Sequence, residues 1–193
     1  ASNGILFNHE SPQRGETFVT KKVISFFCSF LKNKNQKLFL GNIYAKRDWG
    51  HAKDYVQMMW MILQHNNPED WVIATGTTTT IRDFVKLAFE YVGIELEFKG
   101  SGLKEKAYVK KCKSNKYNLN IGKEVLSIDP RFFRPTEVDL LIGDASKAKN
   151  KLGWEPKIQL NDLIEDMMQS DLKLFQKDKY LKDGNYDTLN QFE

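Results

Sequence analysis

Apolar residues along the chain fall into short unbroken runs and longer stretches with helical spacing. Gly4-Ile5-Leu6-Phe7 is bounded by Asn8-His9-Glu10-Ser11-Pro12 and reads as a buried strand ending in a polar loop. Over residues 17 to about 32, Val19, Val23, Phe26, Phe27, Phe30 and Leu31 recur on one helical face. Leu38-Phe39-Leu40 before Gly41-Asn42 predicts a short strand and a turn. A second helix is predicted over residues 53–64, where Val56, Met59, Trp60 and Leu63 share a face. Trp71-Val72-Ile73-Ala74-Thr75-Gly76 is another buried-type strand, and Thr80 with Asp83 forms a capping-box-like pair before a helix ending at Gly93. This alternation predicts an α/β layer with parallel pairing.

The pattern changes after Gly93. Leu96-Glu97-Phe98 alternates, residues 107–113 read as an exposed strand, and residues 115–123 read as a polar loop. Asp144 or Ser146 caps a short helix closed by Gly153, and Asn161 caps a last helix that buries Leu163, Ile164, Met167, Met168, Leu172 and Phe175. From Lys182 the chain is polar and reads as a loose tail.

Composition adds bounds. The 193 residues suit one domain and are marginal for two, with 41% hydrophobic and 28% charged residues, as in ordinary globular proteins. A net charge of +4 is small for this length, and its excess is local: eight lysines stand against Glu105 between Lys99 and Lys123. That cluster reads as a solvated loop rather than a nucleic-acid surface, because no groove-entering motif accompanies it. Cys28 and Cys112 are too few for a disulfide framework and favour a reducing, cytoplasmic compartment. No apolar run is long enough for a membrane span and no signal peptide opens the chain. Its start at Ala1-Ser2-Asn3-Gly4, without Met and directly before an apolar run, reads as a cut through a larger protein.

Three clusters concentrate polar chemistry where elements end, which is where α/β sheets place ligands. The first is Asn8-His9-Glu10-Ser11-Pro12-Gln13-Arg14-Gly15-Glu16-Thr17, with Lys22 one turn into the following helix. Such residues can hold amide, ribose and phosphate groups; equally, Asn8 and Ser11 can be turn residues and His9 a hydrogen-bonded bystander. The second is Arg47-Asp48-Trp49-Gly50-His51-Ala52-Lys53-Asp54, where an arginine suited to bidentate phosphate contact precedes a helix N-terminus. Its alternative is a capping segment in which Asp48 or Asp54 pairs with Arg47. The third is Asp129-Pro130-Arg131-Phe132-Phe133-Arg134-Pro135-Thr136-Glu137, a rigid basic loop that could also be structural. The sequence holds no His-Glu-x-x-His, Gly-x-Ser-x-Gly, P-loop or Gly-rich dinucleotide turn, no metal-ligand spacing, and no Tyr-x-x-x-Lys ahead of a buried strand.

Read in order, Gly4 to Pro12, Arg14 to Thr20, Leu40-Gly41-Asn42, Arg47 to Val56, Val72 to Gly76, Asp129 to Pro135 and Lys151-Leu152-Gly153-Trp154-Glu155-Pro156 resemble the GDP-mannose 4,6-dehydratase family over nearly the whole chain. The resemblance implies the C-terminal part of an NAD(P)-binding Rossmann doubly wound parallel sheet plus a small α/β substrate-binding domain. Residues 1–93 would belong mainly to the former, 94–181 mainly to the latter, and 182–193 to a tail. It implies conversion of GDP-mannose to GDP-4-keto-6-deoxymannose by water loss with internal hydride transfer through NADP, in proteins that form dimers or tetramers. The family's catalytic Thr, Glu, Tyr and Lys match positions upstream of Gly4, so this segment would be inactive alone. His9 and Arg14 match NADP-contacting positions, and Asn8, Lys22, Arg47, Arg134 and Glu137 match positions that hold GDP-mannose. Alternatives are a related nucleotide-sugar reductase or epimerase, or a non-catalytic chain that binds sugar nucleotide. Asn115-Lys116-Tyr117-Asn118-Leu119-Asn120 matches no functional motif of the family.

Overall fold

The computed structural model describes residues 1–32, 35–115, 117–133 and 138–186, apart from the side chains of residues 31 and 32. Strand β1 (Asn3–Leu6) pairs in parallel with β6 (Asp70–Ile73), bringing Ile5 opposite Val72 and Leu6 opposite Ile73. The chain between them forms β2 (Asn8–Glu10), α1 (Val19–Lys32), β3 (Leu38–Leu40), β4 (Lys46–Arg47), β5 (Trp49–His51) and α2 (Ala52–Gln64). After β6 come β7 (Thr79–Thr80), α3 (Ile81–Tyr91), β8 (Ile94–Lys99), β9 (Lys106–Cys112), β10 (Glu124–Ile128), β11 (Leu140–Leu141), α4 (Ser146–Leu152) and α5 (Leu160–Asp183).

Two apolar clusters organise these elements. The larger joins Val23, Phe27 and Phe30 of α1, Phe84 and Phe89 of α3, and Met167 and Met168 of α5 over the sheet β3-β10-β9-β8. Within that sheet β3 runs parallel to β10, whereas β10–β9 and β9–β8 are antiparallel. The smaller cluster packs Tyr55, Met58 and Ile62 of α2 against Trp71 and Ile73 of β6 and against Ala148 and Trp154. The parallel α/β layer and the predicted strands over Leu38–Leu40 and in the Trp71 run are therefore present, and Thr80 Oγ1 caps α3 by accepting from Asp83 N at 3.0 Å.

Several expectations need correction. Residues 107–113 are not an exposed strand: β9 lies between two partners and fully buries Ala107 and Val109. Lys106 and Lys110 take positions alternate to these, and Lys110 and Lys111 are both exposed, which makes the segment look solvated. The stretch 115–123 buries Tyr117 and Leu119, so it is less of a polar loop than its composition implies. Asn161 is not the cap of the last helix, which starts at Leu160 after Gln159, with Gln159 N donating to Asp162 Oδ2 at 3.3 Å. That helix continues past Lys182 to Asp183. Finally, β1 is not buried: Ile5 is 54% exposed, because β6 is the strand's sole partner among the described residues.

Candidate functional site

The site grows from two neighbouring strand ends. Asn8, His9 and Glu10, expected in a polar loop, form β2 and pair in parallel with Trp49, Gly50 and His51 of β5. This pairing sets the first and second polar clusters side by side. β4 places Arg47 between β11 and β7. The guanidinium donates through Nη1 to the carbonyls of Lys46 at 2.9 Å and Val138 at 2.5 Å, which fixes its position.

Asn8, Lys22 and Arg47 meet in one cavity of about 380 Å³. Its walls include Thr17, Thr20 and Phe18 near α1, Gly41 and Asn42 after β3, and Arg131, Phe132 and Phe133 of the third cluster. Lys22 Nζ lies 3.5 Å from the centroid of the Phe132 ring. Partial burial pushes the Lys22 ammonium below the usual lysine range, against the opposing influence of Asp129. The buried Oδ1 of Asn8 has no hydrogen-bond partner in the protein. A cation on an aromatic face, a second cation at the rim and an unsatisfied acceptor suit an anion that also carries hydroxyl groups.

The three described residues of the set expected to hold the nucleotide sugar thus line one cavity, although Asn8 and Arg47 are 39 positions apart. Arg134 and Glu137 lie outside the described residues. Arg131 lines the cavity but was not singled out as a site residue; Asp129 holds it through Nε at 3.1 Å and Nη2 at 2.7 Å. Gly41 makes room for this loop: a Cβ there would stand 2.3 Å from the carbonyl oxygen of Phe132.

His9 and Arg14 line a second cavity of about 360 Å³ with Ile5, Leu6, Phe7 and Leu141. The His9 ring stacks on Tyr55 at 5.2 Å, and its Nδ1 lies 2.9 Å from the carbonyl of Phe7. Arg14 stacks its guanidinium 3.4 Å from the Phe18 centroid. Asn8 belongs to both cavities.

The second cluster also contains structural residues. Buried Asp48 does not pair with Arg47. Its Oδ1 accepts from Thr75 N at 2.8 Å and Thr75 Oγ1 at 2.5 Å, and its Oδ2 from Gly76 N at 2.9 Å and Gly143 N at 3.2 Å. Asp54 does not pair with Arg47 either, since its Oδ2 receives the N–H groups of Lys157 and Ile158, both at 2.9 Å. His51 caps α2 by accepting from Lys53 N at 3.1 Å, which satisfies one of the backbone N–H groups at this helix N-terminus. A further recess of about 540 Å³ lies beside Gly76, Asp144 and Trp154; it holds none of the expected site residues. Among the described residues no group of three His, Cys, Asp or Glu could hold a metal ion, and no helix is long and apolar enough to cross a membrane.

A chain of the UDP-glucose 4-epimerase of Thermotoga maritima, with UDP-glucose, superposes with a TM-score of 0.62 at 22% identity, covering 89% of this chain and 45% of its own. The dTDP-glucose 4,6-dehydratase of Bacillus anthracis in complex with NAD gives a TM-score of 0.61 at 16% identity, covering 93% and 46% respectively. At these identities the likeness is one of fold. In sequence, the chain is 48% identical to a GDP-mannose 4,6-dehydratase of Vibrio cholerae over 97% of its own length and 50% of the relative's. It is 46% identical to a GDP-mannose 4,6 dehydratase of Dictyostelium discoideum over 96% of its length and 48% of the relative's. The chain therefore spans about half the length of the curated relatives it matches. The family described as GDP-mannose 4,6 dehydratase matches residues 1–167, and the chain belongs to that family.

Proposed function

We propose that this chain is the nucleotide-sugar half of a lyase that converts GDP-mannose to GDP-4-keto-6-deoxymannose. The observation that carries the reading is the convergence of Asn8, Lys22 and Arg47 on one cavity. Lys22 and Arg47 offset the diphosphate, together with Arg134; Asn8 and Glu137 accept hydrogen bonds from sugar or ribose hydroxyls. Phe132, beneath Lys22, holds the ammonium in place over its ring.

The second cavity fits one end of NADP. His9 is held by Tyr55 and the Phe7 carbonyl, and Arg14 by Phe18, so a flat ring and an anion each find an oriented partner there. When bound, the nicotinamide would accept and return the hydride of an internally balanced redox cycle. What this chain's residues do is orient that group beside the sugar, since Asn8 borders both cavities. Proton transfer needs a Tyr–Lys pair with Thr and Glu, which the remaining half would supply. The working enzyme would be a cytoplasmic homo-oligomer. The test is to incubate GDP-mannose and NADP with the chain alone and with a complementing half. Keto product should form only with both; product from residues 1–193 alone would overturn the proposed division of labour.

A further inference from the structure

Arg131 stands in the wall of the cavity that gathers Asn8, Lys22 and Arg47, and the reading above gives it no task. Among the described residues its guanidinium has one partner, Asp129. The two groups meet edge to edge: Oδ1 of Asp129 lies 3.1 Å from Nε, while Oδ2 lies 3.1 Å from Nε and 2.7 Å from Nη2. Arginine carries five N–H groups in a fixed planar fork. Contact along the Nε–Nη2 edge leaves both N–H groups of Nη1 and one of Nη2 unused. That second edge can donate to another pair of oxygens.

The burial of the two partners is unequal. The Asp129 side chain is 11% exposed and that of Arg131 is 84% exposed. Asp129 is also anchored through its backbone, since its N–H donates to the Leu40 carbonyl at 2.8 Å, directly before Gly41. Its Oδ1 accepts from Arg131 N at 2.9 Å and so closes the single turn Pro130–Phe132. An ion pair with so exposed a member adds little stability, because water screens it and ordering the long side chain costs entropy. What the pair fixes is direction. A covered carboxylate holds an exposed, otherwise mobile arginine at the cavity wall with its second edge accessible.

The charges around it favour an anion. Lys22, Arg47 and Arg131 line the cavity, and the lining acid Glu10 is already engaged by Thr20 and Arg14. Asp129 faces Lys22 as well as Arg131, so one anchored carboxylate stands between two cations. A planar fork held by one edge suits two-pronged contact with phosphate, which a lysine's point charge cannot make. We infer that Arg131 is a further anion-binding residue of this cavity, donating from its Nη1–Nη2 edge to phosphate oxygens of a nucleoside diphosphate sugar, and that Asp129 positions it. The ligand's identity rests on the nucleotide-sugar reading above; the role of the Arg131 fork rests on the geometry.

Calorimetric titration of residues 1–193 with GDP-mannose, and separately with inorganic pyrophosphate, tests this. Arg131→Met should weaken both ligands about tenfold, as loss of a charge-assisted pair of hydrogen bonds does. Arg131→Lys should recover only part of the loss. Asp129→Asn keeps an oxygen for the Arg131 N–H but loses the charge that orients the fork, and should weaken binding about threefold. In the Arg131→Met background the same change should cause no further weakening, since a positioning residue acts only through the group it positions. The urea midpoints should stay close to wild type. Wild-type affinity in Arg131→Met, full recovery by Arg131→Lys, or equal weakening by Asp129→Asn in both backgrounds would overturn the inference and leave the nucleotide-sugar reading standing. Pyrophosphate binding that depends on Arg131, without any binding of GDP-mannose, would support the fork and defeat that reading. Failure of the wild-type chain to bind either ligand would overturn both.

Discussion

Glu10 Oε2 and Arg14 Nε stand 3.2 Å apart on the wall between the two cavities. Glu10 lines the one that gathers Lys22 and Arg47, and Arg14 lines the one that contains His9. Glu10 is almost completely buried and also receives the Thr20 hydroxyl at 2.5 Å. Burial pushes its carboxyl above the usual range, while Thr20, Arg14 and His9 oppose the shift.

That relationship predicts a pH signature. Because the folded state holds the Glu10 proton more tightly than the unfolded state does, stability falls as pH rises from about 4.5 through the folded-state pKa. Glu124 has the opposite sign. Ser127, Lys37 and Lys106 hold its carboxyl down to about 2, so its contribution is present above 4.5 and lost as pH falls toward 2. Thermal melts from pH 2 to 7 should show Glu10→Gln removing only the decline on the neutral side, and Glu124→Gln reducing only the loss on the acid side. Identical profiles for wild type and Glu10→Gln would contradict the assignment.

Gly41 governs whether the third cluster can reach the cavity. The carbonyl carbon and oxygen of Phe132 would lie 2.7 and 2.3 Å from a Cβ at this position, and backbone atoms cannot rotate aside. Gly41→Ala should therefore displace residues 130–133, cost about 1–3 kcal/mol in urea unfolding, and weaken nucleotide binding. Unchanged stability and binding would show that the contact is not needed.

Asp48 ties three segments together through its four acceptor contacts. Asp48→Ala leaves the buried N–H groups of Thr75, Gly76 and Gly143 without that acceptor and should cost roughly 3 kcal/mol or more. Asp48→Asn should recover only part of this, since its amide oxygen can still accept from Thr75 but its NH₂ cannot accept from Gly76 and Gly143. Urea denaturation of both variants tests this; a loss below about 1 kcal/mol would mean water or a neighbour replaces the carboxylate.

Which parts of this were legible in the sequence follows from how locally each is determined. The Thr80–Asp83 cap, the Gly153 terminus with its φ of 66° and the apolar faces of α1 and α5 depend on neighbours a few residues away, and periodicity reveals them. Strand β10 went unread because Val125 and Leu126 sit in five residues between a lysine-rich stretch and a proline loop, and only pairing with β3 and β9 makes them a strand. The apolar face expected for α2, Val56, Met59, Trp60 and Leu63, is exposed, and Tyr55, Met58 and Ile62 pack inward instead, which periodicity could not show because both faces are apolar. That Asn8, Lys22 and Arg47 line one cavity could be expected only from the family resemblance, because they are far apart in sequence. Arg131 was missed as a wall residue, because in sequence it differs little from its neighbour Arg134.

The central claim is that Lys22 and Arg47 act on one diphosphate sugar, and calorimetric titration of GDP-mannose tests it most directly. Lys22→Met and Arg47→Met should each weaken binding about tenfold or more. The double variant should lose less than the sum of the two, because residues sharing a ligand are coupled. Affinity should also decline on the alkaline side earlier than for an ordinary lysine, since burial lowers the Lys22 pKa. Binding that is unaffected by both single substitutions, or present equally for unphosphorylated mannose, would contradict the account.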